Sequence, residues 1–164
     1  IKKRPWYYEM QYLGYNYRIT DFQCALGVSQ LTKLNKFIKK RNKIADTYKQ
    51  YFYNKDYIKL PKVNKTNVHA YHLFPIKINF KKINLKKRKL FEKLRLNNIN
   101  LQVHYIPIHH QPFYKKKFNF KKKNFLEAER FYNEEVSLPI YYELTYIQVK
   151  KIAKLIVNIC ENKK

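Results

Sequence analysis

Asn16 and Arg18 stand just before a strong helix start, and their side chains are suited to binding a phosphate group. Thr20 and Gln23 have the spacing of a capping box, which predicts that a helix begins directly after Thr20. A helix N-terminus attracts anions through its free backbone N–H groups and its dipole. An amide and a guanidinium beside it add directed donors. The alternative is a plain asparagine turn followed by a solvated arginine.

A second group of chemically active side chains lies in one short segment that contains His104, His109 and His110. Histidines at this spacing could belong to a metal site, but no carboxylate or cysteine flanks them at ligand spacing, so no metal is expected. Neutral imidazoles and the phenol of Tyr105 also suit hydroxyls, carbonyls and phosphates. A third interpretation is loop histidines whose hydrogen bonds are satisfied locally.

The charge of the chain favours anionic partners. The 164 residues include 36 Lys+Arg against 11 Asp+Glu, a formal net charge of +25. A basic nucleic-acid-binding module is therefore one hypothesis. However, the lysines are spread along the whole chain and no nucleic-acid-binding motif is present, so no specific nucleic acid is expected. An AT-rich coding sequence would also explain the abundance of Lys, Asn, Ile, Tyr and Phe. The runs Lys115–Lys117 and Lys121–Lys123 predict solvated loops.

Helices must position these groups. Apolar residues recur at helical spacing from Phe22 to Phe52, with a break expected near Gln30 to Leu34. Further helices are predicted from Asn84 to Leu96, from Asn124 to about Tyr132, and after a second capping box. The box is formed by Thr145 and Gln148, and the helix that follows it carries one apolar face. That face consists of Ile152, Leu155, Ile156 and Ile159.

Three strands are predicted between the helices: His69–Ile78, Ile99–Ile106 and Val136–Ile140. Pro75 suggests an edge position or a bulge in the first of them, and residues 107–120 are predicted to form a loop. The fold class that follows is α/β, with helices on one face of a short, mostly antiparallel sheet, preceded by a long helix.

The remaining composition sets limits on location. No apolar run approaches the ~20 residues that a bilayer crossing needs, and residues 1–5 do not begin a signal peptide. Cys24 and Cys160 are far apart in the sequence and show no metal-ligand spacing, which favours a reduced, cytoplasmic setting. Because the chain does not begin with Met, we expect it to be part of a longer protein.

Ordered motifs along nearly the whole chain resemble the DegT/DnrJ/StrS family of sugar aminotransferases, which are fold-type I PLP enzymes. The motifs are WYYEMQYLGYNYRITDFQCALG at residues 6–27, AYHLFPI at 70–76, HYIPIH at 104–109, QPFY at 111–114, Ala128-Glu129 and Ser137-Leu138-Pro139. The resemblance implies that residues 1–33 are the end of the large PLP domain with an interface segment and the first helix. Residues 34–164 would then be the small C-terminal domain.

The resemblance also implies roles for individual residues. In a homodimer with shared active sites, Asn16 would reach the PLP phosphate of the neighbouring subunit, and Arg18 would lie beside it. The sugar-nucleotide pocket would be lined by Tyr15, His104, Tyr105, His109 and Tyr114. His110 matches no motif position and is expected to face solvent.

Residues 7–11 and the His104–Pro107 loop are most similar to the family members that aminate C4 of a UDP-linked 4-keto-6-deoxy sugar in pseudaminic acid biosynthesis, with glutamate as amino donor. No lysine of this chain has a recognisable Schiff-base context. The resemblance therefore implies a fragment that is inactive alone, with PLP held mainly by an N-terminal domain. A non-catalytic, sugar-sensing relative is the other interpretation.

Overall fold

The computed structural model describes residues 6–64, 66–118, 120 and 122–162. Ile1–Pro5 and Lys121, on which part of the sequence predictions fall, lie outside this set. The chain divides into two compact units, Ile1–Leu34 and Asn35–Lys164. Among the described residues, none of the helices combines the length and the apolar character that a bilayer crossing requires.

The first unit contains helix α1, Asp21–Leu31, and the predicted capping box is confirmed. The Thr20 side chain accepts a hydrogen bond from the Gln23 backbone at 3.4 Å, and the Thr20 backbone donates to Gln23 Oε1 at 3.0 Å. The predicted break is confirmed as well, because α1 ends at Leu31 and α2 begins at Leu34.

Helix α2 spans Leu34–Phe52 and buries one face in the second unit. The buried residues Ile44, Tyr48 and Phe52 recur every four positions, so they lie on one side of the helix. The Tyr48 ring stacks on Phe52 and Phe74, and its hydroxyl donates to the Pro139 carbonyl oxygen at 3.1 Å. Part of the hydrophobic core therefore lies between α2 and the sheet.

The sheet has three antiparallel strands in the order β1-β2-β3: β1 Ile58–Lys59, β2 Phe74–Ile78 and β3 Glu135–Leu138. Phe74 pairs with Leu138 and Ile78 with Ile58. Pro75 lies in the central strand, opposite Ser137. It is tolerated there because β1 pairs only with Lys77 and Ile78, which leaves Pro75 a strand neighbour on one side.

Helices complete the small α/β domain and confirm the predicted fold class. Helix α3, Lys87–Arg95, buries Leu90 and Leu94, and packs against α6. Helix α6, Tyr146–Glu161, starts at the predicted Thr145 and Gln148 capping box. It buries Ile152, Ile156 and Ile159 of the predicted face, while Leu155 is only partly buried. Two further helices, α4 Pro112–Lys117 and α5 Leu126–Glu134, lie between α3 and β3 in the chain.

Several predicted boundaries are wrong. Residues 99–106 are not a strand, since pairing is confined to a bridge between Gln102 and Ser137. Their alternation reflects burial of Ile99 and Leu101, not a ladder. The strand predicted at His69–Ile78 begins only at Phe74, because Tyr71 has a φ of 46° and interrupts the extended backbone.

The segment after residue 106 is more regular than predicted. The predicted loop contains a one-turn 3-10 helix, Ile108–His110, followed by α4. Lys115–Lys117 are exposed as predicted, but on a helix. Asn124 does not cap α5, which begins at Leu126 without a side-chain cap because a 3-10 turn, Lys122–Phe125, precedes it.

Candidate functional site

The loop that enters α1 presents Asn16 and Arg18 in a tight turn. The Asn16 side-chain oxygen accepts a hydrogen bond from the Arg18 backbone N–H at 2.9 Å. This contact uses the oxygen and leaves the amide NH2 as the donor end of Asn16. Both side chains are exposed within the unit. Since Asp21 already supplies negative charge to the first turn of α1, the positive charge for a phosphate would have to come from Arg18.

The same unit exposes an unusual amount of apolar surface. Every described residue from Trp6 to Leu34 is exposed, and the Tyr15 and Tyr17 rings contact each other edge to face at 6.0 Å. The solvent-exposed large apolar side chains include Tyr7, Tyr8, Tyr12, Leu13, Phe22, Leu26 and Leu31. Exposed apolar surface of this extent is unusual for a soluble protein and is typical of an interaction surface.

In the second unit, His104 is held by a buried carboxylate. The His104 backbone N–H donates to Oε2 of Glu135 at 3.0 Å, and the Ser137 hydroxyl donates to Oε1 at 2.5 Å. Glu135 has no exposed surface. Lys87 lies close by and is half-buried. Burial lowers the pKa of Lys87, although the charge of Glu135 opposes the shift.

A cavity of about 280 Å³ lies beside His104 and is lined by both polar and apolar groups. His104 Nδ1 is buried and has no hydrogen-bond partner among the described residues. The Tyr105 ring meets the His104 ring edge-on at 4.7 Å, and Tyr105 is 71% exposed. Donor and acceptor groups around this cavity come from His72, Gln102, His104, Ser137 and Tyr141.

His109 and His110 converge on one carboxylate. Their Nε2 atoms lie 2.6 Å and 2.5 Å from Oε1 of Glu129, which α5 carries. His109 stacks on Phe125 at 4.5 Å, and His110 meets Tyr132 edge-on at 5.7 Å. The prediction that His110 faces solvent is wrong, because its side chain is only 16% exposed and packs between these groups.

The predicted site residues thus fall into four places. Tyr15, Asn16 and Arg18 belong to the first unit. His104 and Tyr105 form one group in the second unit, and His109 belongs to the Glu129 cluster. Tyr114 lies on α4, where its ring stacks on Phe118 at 6.4 Å.

Sequence reasoning missed the anchoring roles of Glu129 and Glu135. Glu129 escaped because it lies about twenty residues from the histidines in sequence, outside any local ligand spacing. A signal did exist for Glu135, since its carboxylate directly precedes the uncharged predicted strand Val136–Ile140. A charge at such a position requires a partner.

Comparisons with known proteins agree with this architecture. An uncharacterized protein of Methanocaldococcus jannaschii is 40% identical over 156 residues, which is 93% of this chain and 40% of that protein. The UDP-4-amino-4,6-dideoxy-N-acetyl-beta-L-altrosamine transaminase of Campylobacter jejuni is 42% identical over 76 residues, 46% of this chain and 20% of that protein.

Among solved structures, PseC of Helicobacter pylori, an aminotransferase involved in the biosynthesis of pseudoaminic acid, superposes with a TM-score of 0.81 and 32% identity. The match covers 98% of this chain and 43% of that one. The chain therefore spans at most about two-fifths of the length of these relatives. The family model of the DegT/DnrJ/EryC1/StrS aminotransferases matches residues 1–157, and the chain belongs to that family.

Proposed function

We propose that this chain is the C-terminal part of a PLP-dependent aminotransferase that acts on a nucleotide-linked sugar. The observation that carries the proposal is the turn before α1. There, the Asn16 amide, the Arg18 guanidinium and a capped helix N-terminus offer donors suited to a phosphate. This donor set fits the phosphate of PLP. When bound, PLP supplies the electron sink for amino transfer.

The proposed substrate is a UDP-linked 4-keto-6-deoxy sugar that is aminated at C4, with glutamate as the donor, in pseudaminic acid biosynthesis. The activities for which the Campylobacter and Helicobacter relatives are named support this choice. The protein would act in the cytoplasm. Residues 1–33 would be the end of the large PLP domain, with an interface segment and the first helix. Residues 34–164 would form the small C-terminal domain.

The chain would work as one half of a homodimer. Asn16 and Arg18 would bind the phosphate held by the neighbouring subunit, with the apolar patch of residues 6–34 covered by the rest of the dimer. Covering that patch would remove a large exposed apolar surface from water, which is the strongest driving force available for such an assembly.

The sugar nucleotide would be bound by the predicted pocket residues, which are Tyr15, His104, Tyr105, His109 and Tyr114. Exposed Tyr105 and Tyr114, with Tyr15, would offer ring faces and hydroxyls to the sugar and the uracil base. His104 would use its unpartnered Nδ1 to bind a polar group beside the cavity. His109 is held by Glu129, so its contribution to the pocket would be to fix the loop that carries Tyr105 and Tyr114.

The test is spectroscopic and needs the longer protein that includes the upstream region. Purified with PLP, it should show the absorbance band of an internal Schiff base, and the band should disappear when glutamate is added. A protein that binds PLP without such a band, or forms no band with PLP supplied, would be a non-catalytic relative. Either outcome would defeat the proposed transaminase activity.

A further inference from the structure

The cluster of His109, His110 and Glu129 has the composition and convergence of a metal site. Its three ligand atoms lie within 4.8 Å of one another. Side-chain exposures are 6% for His109, and 16% for both His110 and Glu129. The two imidazoles come from one 3-10 turn, and the carboxylate comes from α5. Two separate elements are thus joined at one point.

We propose that this cluster binds a divalent transition-metal ion, with Zn²⁺ as the best-matched species. Imidazole nitrogen and carboxylate oxygen are both zinc ligands, and three protein ligands leave a fourth tetrahedral position for water. The donor set contains no thiolate, which disfavours soft ions such as Cu(I). Sequence spacing alone argues against a metal here, but the fold brings the missing carboxylate to the histidines.

The three ligand atoms must change their separations to accept the ion. Tetrahedral ligands at about 2.0–2.2 Å from zinc lie roughly 3.4 Å apart. The Nε2 to Oε1 distances of 2.6 Å and 2.5 Å must therefore open by roughly 0.8–0.9 Å. The two imidazole nitrogens, which lie within 4.8 Å of each other, must also come to about 3.4 Å apart, so the His109 and His110 rings shift together with the Glu129 carboxylate.

The surroundings hold the two rings close to the Glu129 carboxylate. Phe125 stacks on His109 with an interplanar angle of 17°, and Tyr132 packs against the His110 ring at 85°. Both imidazoles direct Nε2 at the same oxygen, so a cation at this point requires Nε2 of each ring to be unprotonated. Each imidazole then keeps its proton on Nδ1 and offers a lone pair from Nε2.

Metal binding at this point would fasten the segment that leads from His104 to α4 onto α5. The ion would therefore act as a structural clamp on the segment 107–117. The proposed transaminase chemistry does not require it. Its loss would be visible as lower thermal stability even in a protein with no PLP. The inference is thus independent of the proposed function.

The experiment is a titration of the chelator-treated protein with Co²⁺ and Zn²⁺, read by cobalt visible absorption and by calorimetry. We expect one ion per chain, a cobalt spectrum of tetrahedral type, and a higher Tm with Zn²⁺. His110→Asn keeps the His109–Glu129 contact and should weaken Zn²⁺ binding by more than the roughly 10–100-fold that follows loss of an outer-shell partner.

Two variants complete the design. Glu129→Gln tests the carboxylate, and His72→Asn removes an exposed histidine elsewhere in the same unit as the matched control. His72→Asn should bind Zn²⁺ as the parent does. Absence of stoichiometric binding, or equal affinity in the parent and in a His110→Asn protein with unchanged circular dichroism, would overturn the proposal.

Discussion

The backbone N–H of His104 donates a 3.0 Å hydrogen bond to Oε2 of Glu135, a carboxylate with no exposed surface. Its other oxygen, Oε1, accepts the Ser137 hydroxyl, so one buried side chain fixes both β3 and the segment that precedes Tyr105. Hydrogen bonds to a buried carboxylate are stronger than neutral ones, and leaving their donors unpaired is costly.

Glu135→Ala should therefore destabilise the second unit strongly. The variant leaves the His104 N–H and the Ser137 hydroxyl without their acceptor, and we expect a loss of about 2–4 kcal/mol in the free energy of unfolding. Glu135→Gln, which keeps one acceptor oxygen, should lose less. Urea unfolding gives both values. Exposed Glu143→Ala is the control, and equal effects at Glu143 and Glu135 would contradict the anchoring role.

A matched pair of leucines at the end of α3 tests the core. Leu94 is fully buried, whereas Leu96 is 85% exposed just past the last turn. Leu94→Ala should lower the free energy of unfolding by about 2–5 kcal/mol, because it removes core contacts and leaves a cavity. Leu96→Ala should change it by no more than about 0.5 kcal/mol. Similar losses in both variants would show that α3 does not pack as described.

The two thiols should differ in reactivity. Burial, with a smaller effect of the Glu161 charge, raises the pKa of Cys160 to about 12, while Cys24 is exposed on α1. In the isolated chain, where residues 6–34 are uncovered, a thiol reagent at neutral pH should therefore modify Cys24 rapidly and Cys160 only after unfolding. Cys24→Ser should abolish the rapid phase. Rapid modification of both thiols in the native protein would contradict the burial of Cys160.

The same pKa predicts a loss of stability in alkali. Because the pKa of Cys160 is raised on folding, the native state keeps its proton when the unfolded state begins to lose it. The contribution of Cys160 is complete below the unfolded pKa and declines as pH rises toward about 12. Unfolding measured from pH 8 upward should show a shallower decline in Cys160→Ala, relative to its own value at neutral pH. An identical decline in both proteins would refute the assignment.

Local signals in the sequence predicted the helices well. Both capping boxes, the break between α1 and α2, and the buried faces of α2 and α6 depend on residues three or four positions apart. Such information is contained in each segment.

Non-local contacts could not be predicted from local patterns. The alternation of residues 99–106 indicates burial, but strand pairing depends on where β3 lies, and only Gln102 meets it. The His109–Glu129 and His104–Glu135 contacts join residues 20 and 31 positions apart. No spacing rule identifies such partners, so the surroundings of the histidines emerged only from the fold.

Arg18 should matter to cofactor affinity through its charge. In the longer protein, Arg18→Ala should weaken PLP binding by about 10-fold or more, since one charge-assisted contact to phosphate is lost. Arg18→Lys should recover part of the affinity, because it restores the charge but not the two-pronged geometry. Equilibrium dialysis measures the change, with exposed Arg95→Ala as the control. Unchanged affinity in Arg18→Ala would remove Arg18 from the site.

The central claim is that Asn16 serves a cofactor held by the partner subunit, and mixed dimers test it most directly. One parent carries Asn16→Ala, and the other lacks the Schiff-base lysine of the upstream region. Each parent dimer should have little transaminase activity. Mixed dimers should recover activity, because an intact lysine then meets an intact Asn16 across the interface. Failure to recover activity in verified mixed dimers would contradict the account.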